Sequence, residues 1–212
     1  MKQLPTFKFE NEYWEKGHKV IGGIDEVGRG ALAGPVFAGC VIFSSGFVFS
    51  GAEGDIINDS KVLTQKQREV ASIWIKENSL SWGIGSASVA EINKFGIVKA
   101  TEKAFRRAIK DSNTKLDFLL IDAFYVPNIK NLRRERQLAI VKGDSLSVSI
   151  AAASIIAKVA RDSLMTKLSL NPKYKKYLWH KNKGYGTLEH RNAIKNEGKT
   201  RLHRVSFLLK LS

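Results

Sequence analysis

A chain of 212 residues with 43% hydrophobic content is long enough to bury one sizeable core, and 35 Lys and Arg against 20 Asp and Glu leave a net charge of +15. That balance draws the protein to a polyanion, either nucleic acid or an acidic membrane. A single cysteine excludes an internal disulfide. The longest weakly polar run, Leu146 to Ala157, is well short of the roughly 20 residues that span a bilayer, and the amino terminus has no apolar signal-peptide core, so a soluble cytoplasmic protein is expected.

Along the chain, Met1 to Glu15 mixes Lys2, Lys8, Glu10, Glu12 and Glu15 with aromatics, and Lys19 to Asp25 then reads as a strand. It runs into Gly22-Gly23-Ile24-Asp25-Glu26-Val27-Gly28-Arg29-Gly30, which sets two adjacent carboxylates against a flexible basic turn. Neighbouring side chains on a strand point to opposite faces, so Asp25 and Glu26 reach one site only if the strand ends there or one of them ligates through its backbone. Glycines at 23, 28 and 30 allow such an ending and let backbone approach a ligand. A solvated turn is the plain alternative, but it leaves two further acids in apolar settings, Asp122 and Asp144, without a role.

Pro35 to Phe43 is a second strand, joined to the first by a short antiparallel connection, and Cys40 within it reads as a small core hydrophobe. Gly46, Gly51 and Gly54 mark a loop. Thr64-Gln65-Lys66-Gln67 has the form of a capping box, opening a helix through about Glu77. Trp82 to Ala87 is a third strand. Ser88 caps a short helix, and a longer one covers Ile97 to Lys110, with Lys99, Lys103, Arg106 and Arg107 on its polar face. Asp117 to Asp122 and Gln137 to Val141 are two more strands. Between them, Lys130, Arg133, Arg134 and Arg136 either grip a duplex or lie in an exposed loop.

A helix starting near Ser145 is rich in small residues, Ala151, Ala152, Ala153, Ser154 and Ala157, which permits close packing on a sheet. Either Asp144 or Ser145 has the chemistry of its cap, and capping by Ser145 leaves Asp144 free. Trp14, Trp74, Trp82 and Trp179 read as packing residues. Strands followed by alternating strands and helices indicate a mixed α/β sheet flanked by helices. From Thr166 onward twelve Lys or Arg face two acids, Glu189 and Glu197. This divides the chain into a core, 1–165, and a basic C-terminal helical extension, 166–212, that packs on it and binds substrate. In that tail His190 and His203 read as phosphate-contacting or solvated groups more readily than as general bases, and Tyr185, between two glycines, does not have the setting of a core anchor.

Asp25 and Glu26, Asp122, and Asp144 come from three separate segments, three of the four acids at or near strand ends. Gathered together they repel, and need a divalent cation, protonation, or both. All-oxygen ligation favours a hard ion such as Mg²⁺, and no Cys and His spacing suggests zinc.

The string GIDEVGRGALAGPVFAGCVIF, followed by Asp59-Ser60-Lys61-Val62-Leu63-Thr64, Leu119-Leu120-Ile121-Asp122, Lys142-Gly143-Asp144-Ser145 with Ala151 to Lys158, and Gly184-Tyr185-Gly186-Thr187, resembles type 2 ribonuclease H. The five motifs stand in that family's order from about Gly22 to about His190. The resemblance implies a ribonuclease H-like fold and an endoribonuclease that cuts the RNA strand of RNA/DNA hybrids. It also implies cleavage 5′ to single ribonucleotides in duplex DNA, leaving 5′-phosphate and 3′-hydroxyl ends. It assigns Asp25, Glu26, Asp122 and Asp144 to catalysis and to two Mg²⁺ or Mn²⁺ ions, with Asp25 as the bridge. Gly28, Arg29 and Gly30 are implied to sense the ribose 2′-hydroxyl, Tyr185 to stack on the following sugar, and Ser60 and Lys61 to contact phosphate. A monomer with no membrane partner is expected. Ala31 stands where that family usually has proline and Ala123 where glycine is common, which bears on loop geometry. The type 3 enzyme fits less well: it carries an amino-terminal binding domain for which the residues before Gly22 leave no room, and typically lysine at Arg29. A catalytically inactive nucleic-acid-binding protein of the same fold is the rival reading, and a metal-dependent cleavage assay separates the two.

Overall fold

The computed structural model describes residues 4–49, 56–129 and 131–208; the loop glycines Gly51 and Gly54 and the cation Lys130 lie outside them. After helix α1 (Lys8–Glu15) come β1 (Ile21–Val27) and β2 (Val36–Ile42), then α2 (Gln65–Asn78), β3 (Ser81–Ala87) and α3 (Val89–Asp111). The chain continues through β4 (Phe118–Asp122), β5 (Gln137–Ile140) and the long α4 (Val148–Ser169) to four short helices, α5 (Pro172–Lys175), α6 (Trp179–Asn182), α7 (Leu188–Glu197) and α8 (Val205–Leu208). The sheet order is β3-β2-β1-β4-β5. β1, β2 and β3 form an antiparallel meander, while β4 and β5 run parallel to β1. The architecture is the mixed α/β sheet that the strand and helix order predicts.

Helices cover both faces. On one, α3 packs Ala100, Ala104 and Phe105 against Ile24, Ala38, Cys40 and Ile121. On the other, α4 lays Ala151, Ala152 and Ala153 against the sheet, and α2 closes over it with Ala71 and Ile75. The small residues of α4 let the backbones meet: a Cβ on Gly23 of β1 would stand 2.2 Å from the Ser149 carbonyl carbon. Cys40 is fully buried in β2 and burial pushes its thiol up to about 12, which makes it a packing residue.

Local signals fixed several boundaries. Thr64 caps α2 and Ser88 caps α3, each in a complete capping box, with Gln67 and Glu91 reaching back. The short and long helices expected after Ser88 meet at a kink, where Gly96 adopts φ +79°. α4 begins three residues later than expected. Its cap is Ser147, which accepts from the Ile150 N–H, and Gly143–Ser145 forms a 3₁₀ turn ahead of it. The helix also runs through the expected 165/166 boundary to Ser169, so Met165 lies in one apolar cluster with Tyr174, Tyr177 and Trp179 of the tail. No helix among the described residues is long and apolar enough to cross a membrane.

Two histidines correct the sequence reading. His190 and His203 are buried, not solvated. The Nδ1 of His190 lies 2.8 Å from the Tyr185 carbonyl and its Nε2 accepts from the Trp179 indole N–H at 3.0 Å. The Nδ1 of His203 accepts the Thr200 N–H at 2.9 Å, which leaves its Nε2 proton for His190 Nε2 at 3.2 Å. Both rings are thereby held neutral, and burial lowers both, His203 to about 4.

Candidate active site

In the β1–β4 register Ile24 pairs with Ile121. One residue further lie Asp25 and Asp122, toward the carboxyl ends of two adjacent parallel strands, the edge where open α/β sheets gather ligand-binding groups. β1 does not stop at Asp25 but continues to Val27. Asp25 and Glu26 still line one cleft, of about 600 Å³, because the site wraps around the strand end. Asp25 is nearly fully buried. Its Oδ1 accepts the Glu26 N–H at 2.7 Å, and Asp122 Oδ1 accepts the Gly143 N–H at 2.7 Å.

Asp144, on the 3₁₀ turn after β5, does not line the cleft itself but is joined to it through Lys61 and lies close enough to repel Asp25 and Asp122. It is buried and held by Lys61 Nζ at 2.7 Å, with the Ser145 hydroxyl donating at 3.3 Å. Arg29 Nη1 lies 3.4 Å from Glu26 Oε1, while Glu26 Oε2 is buried without a hydrogen-bond partner.

The electrostatics follow from this crowding. Desolvation pushes the Asp25 carboxyl well above the usual carboxylate range, and Glu26, Asp122 and Asp144 add repulsion. Glu26 is raised by burial and by Asp122 against the pull of Arg29, and Asp122 by burial and by Asp144 against its bond to Gly143. Such a cluster attracts a cation. Among the described residues no three His, Cys, Asp or Glu side chains converge into a ready ion cage, in keeping with Lys61 occupying Asp144. A hard divalent cation nevertheless fits the donor set: all the donors are oxygens, one of them is an orphaned buried carboxylate oxygen, and Mg²⁺ commonly uses one or two carboxylates with water and substrate phosphate.

Of the other expected site residues Gly28, Arg29, Ser60, Lys61 and Tyr185 line the same cleft, and Gly30 does not. Gly28 takes φ +87°, and a Cβ there would fall 2.0 Å from Arg161 Nε, so only glycine fits. Arg29 and the half-buried Tyr185 line the cleft, as does Lys61. Ser60 lines it too, but it is buried, and its hydroxyl is shared with Ser154 at 3.0 Å. Gly30 has open space where a Cβ would be. Arg133, Arg134 and Arg136 are exposed, and Arg134 stacks over Tyr125.

Sequence reasoning missed three cleft residues, Arg68, Ser154 and Lys158, and the buried Arg161 behind them. Arg68 donates to the Ser60 and Leu63 carbonyls and so fixes the loop that carries Lys61. Ser154, Lys158 and Arg161 form a polar stripe on α4, and Lys158 Nζ and the Arg161 guanidinium carbon lie 5.6 and 5.3 Å from the Tyr185 ring centroid. Their spacing of four and three residues along an otherwise apolar helix was the available signal.

Both the fold and the sequence have counterparts among known proteins. A relative described as ribonuclease HII, from the Wolbachia of Brugia malayi, is 48% identical over 204 residues, covering 96% of this chain and 93% of the relative. Among solved structures, the ribonuclease H2 of Pyrococcus horikoshii OT3 superposes with a TM-score of 0.67 at 21% identity, over 88% of this chain and 93% of that one. Bst-RNase HIII in complex with Mn²⁺ gives 0.63 at 20% identity, over 89% and 67%. The family model described as ribonuclease HII matches residues 22–210, from the glycines ahead of Asp25 to the last helix, and the chain belongs to that family of endonucleolytic ribonucleases.

Proposed function

We propose that the protein cuts the RNA strand of RNA/DNA hybrids and the phosphodiester 5′ to single ribonucleotides embedded in duplex DNA, leaving a 5′-phosphate and a 3′-hydroxyl. The observation that carries the reading is the placement of Asp25 and Asp122 on adjacent parallel strands, each one residue beyond the Ile24–Ile121 pair, in one cleft with the unpartnered Glu26 Oε2. When bound, Mg²⁺ or Mn²⁺, as one ion or a pair, supplies Lewis-acid activation of water and charge stabilisation at the leaving oxygen. Asp25, Glu26 and Asp122 would hold the cation. Asp144, now paired with Lys61 at 2.7 Å, would be a further ligand were Lys61 drawn to a substrate phosphate. The turn of Gly28, Arg29 and Gly30 presents backbone to the 2′-hydroxyl, the group that distinguishes RNA from DNA. Tyr185 offers its ring to the next sugar, and Ser60 acts through its loop, since its side chain is buried. The basic segment after Thr166 is the duplex-binding extension, and the molecule acts as a monomer.

The test is cleavage of a labelled DNA duplex carrying one ribonucleotide, with Mg²⁺, with Mn²⁺ and with chelator, followed by end-group analysis. Cleavage abolished by chelator and absent on all-DNA duplex is expected. Duplex binding without metal-dependent cleavage would establish the inactive binding protein instead.

A further inference from the structure

Arg161 of α4 and Arg204, just ahead of α8, are fully buried, so neither reaches substrate. Their hydrogen-bond acceptors are main-chain carbonyls gathered from two places. Arg161 donates to Pro35, Lys183 and Ala33 at 3.0, 3.0 and 3.2 Å. Arg204 donates to Gly34 at 3.0 Å and to Arg29 at 2.8 Å. The acid next to Arg161, Asp162, is engaged by Lys158 at 2.8 Å. Burying a guanidinium without a carboxylate is costly, and desolvation, with Arg161 nearby, pulls Arg204 down to about 9, still protonated at neutral pH. Arg161 thereby cross-links the loop at 29–35 to the turn at 183–185, while Arg204 braces that loop from within, holding its Arg29 and Gly34 carbonyls together. The same two segments meet directly where the Leu32 and Ala33 N–H groups donate to the Gly184 carbonyl at 2.8 and 3.1 Å.

We infer that Arg161 and Arg204 are positioning residues for ribonucleotide recognition: Arg161 ties the 29–35 loop to the Tyr185 turn and Arg204 holds the Gly28-Arg29-Gly30 turn in shape against that loop, so that the 2′-hydroxyl and the following sugar are read in one register. The inference rests on the proposed activity. Gly28 packs on the Arg161 side chain, Arg204 holds the Arg29 carbonyl, and the Tyr185 ring lies over Arg161. A fork spanning several carbonyls does this where a lysine point charge does not.

The experiment measures kcat and KM on two substrates of one sequence, a DNA duplex with a single ribonucleotide and a continuous RNA/DNA hybrid. It compares wild type with Arg161→Lys and Arg204→Lys. Wild-type failure on the single ribonucleotide would refute the proposed function itself. With wild type active, each variant is expected to lose kcat on the single ribonucleotide by on the order of tenfold to a hundredfold, as for a small misplacement of a bound group. KM stays near wild type and the hybrid is cut far less impaired, because it offers alternative registers. Equal loss on both substrates, or no loss, would overturn the inference. A measurement on the wild type needs no variant to fold: amide hydrogen exchange at Leu32, Ala33, Gly184 and Tyr185 is expected to report one common opening free energy. Separate openings of the two segments would overturn it equally.

Discussion

Ala123 follows the acid at the end of β4 with φ at +68°, a left-handed conformation that costs a residue bearing a Cβ about 1–2 kcal/mol. Glycine removes that cost but adds about 0.4–1 kcal/mol of unfolded-chain entropy. Ala123→Gly is therefore expected to stabilise the protein by roughly 0.5–1 kcal/mol and raise its melting temperature by about 2–3 °C, with cleavage unchanged. A lower melting temperature would show that the strain is relieved elsewhere. Ala31, the other departure, retains an N–H that donates to the Gly28 carbonyl at 3.3 Å, a bond that proline would delete. Asp25 is a cost of the opposite kind. Its raised carboxyl means that the fold loses stability as pH climbs from the unfolded carboxylate range through the folded one. Asp25→Asn is expected to melt higher at neutral pH and to flatten that slope. Cleavage should fall by roughly 100-fold or more, the upper end of what even indirect support of a ligand is worth. A variant with near wild-type turnover under Mg²⁺ would remove Asp25 from the site.

At the scale of elements, the start of α4 shows where sequence reading ran out. Thr64 and Ser88 were legible as caps because Gln67 and Glu91 stand three residues away and local chemistry decides. Ahead of α4, Ser145 and Ser147 have the same chemistry, and the choice is made by Glu10, far off in α1, which accepts from the Ser147 hydroxyl at 2.6 Å and the Ser149 N–H at 2.9 Å. No local window contains that pairing. Burial raises the Glu10 carboxyl, and its Oε2 has no partner. Glu10→Ala should cost about 1–3 kcal/mol by leaving two buried donors unmatched, whereas Glu10→Gln keeps the acceptor and should be near neutral in a thermal melt. Equal losses in both variants would mean that the negative charge at the helix amino terminus, not the acceptor, is what matters. The strand-end acids were legible for the opposite reason, since a carboxylate ending an apolar strand is conspicuous. The two buried arginines were not, because composition counts Arg204 with the solvated cations around it.

Across the whole molecule the tail is both core and polyelectrolyte, and the two roles separate by pH and by salt. His190 and His203 sit with Tyr177 and Trp179 in its interior. Because both are lowered in the fold, the unfolded chain takes up protons first. Stability is complete above about 6.5 and falls as pH drops toward about 4, the His203 value, by on the order of a few kcal/mol. A melt series over that window checks it, and the slope should shrink in His203→Gln, leaving the His190 contribution, if that variant folds. Of the twelve tail cations, Arg204 is buried and Lys176 is tied to Glu197 at 2.5 Å. Truncation would strip Arg204 and the Trp179 cluster from the core, so the duplex-binding role is better tested on exposed cations. Lys173, Lys175 and Lys181 are exposed on the short helices after α4. If they pair with phosphates, their replacement by glutamine should lower the slope of log affinity against log salt by about 0.9 for each phosphate no longer neutralised. Melting should stay unchanged, because none of the three is buried. An unchanged slope would make this face merely solvated and leave the duplex to Arg29, Lys61 and the cleft itself.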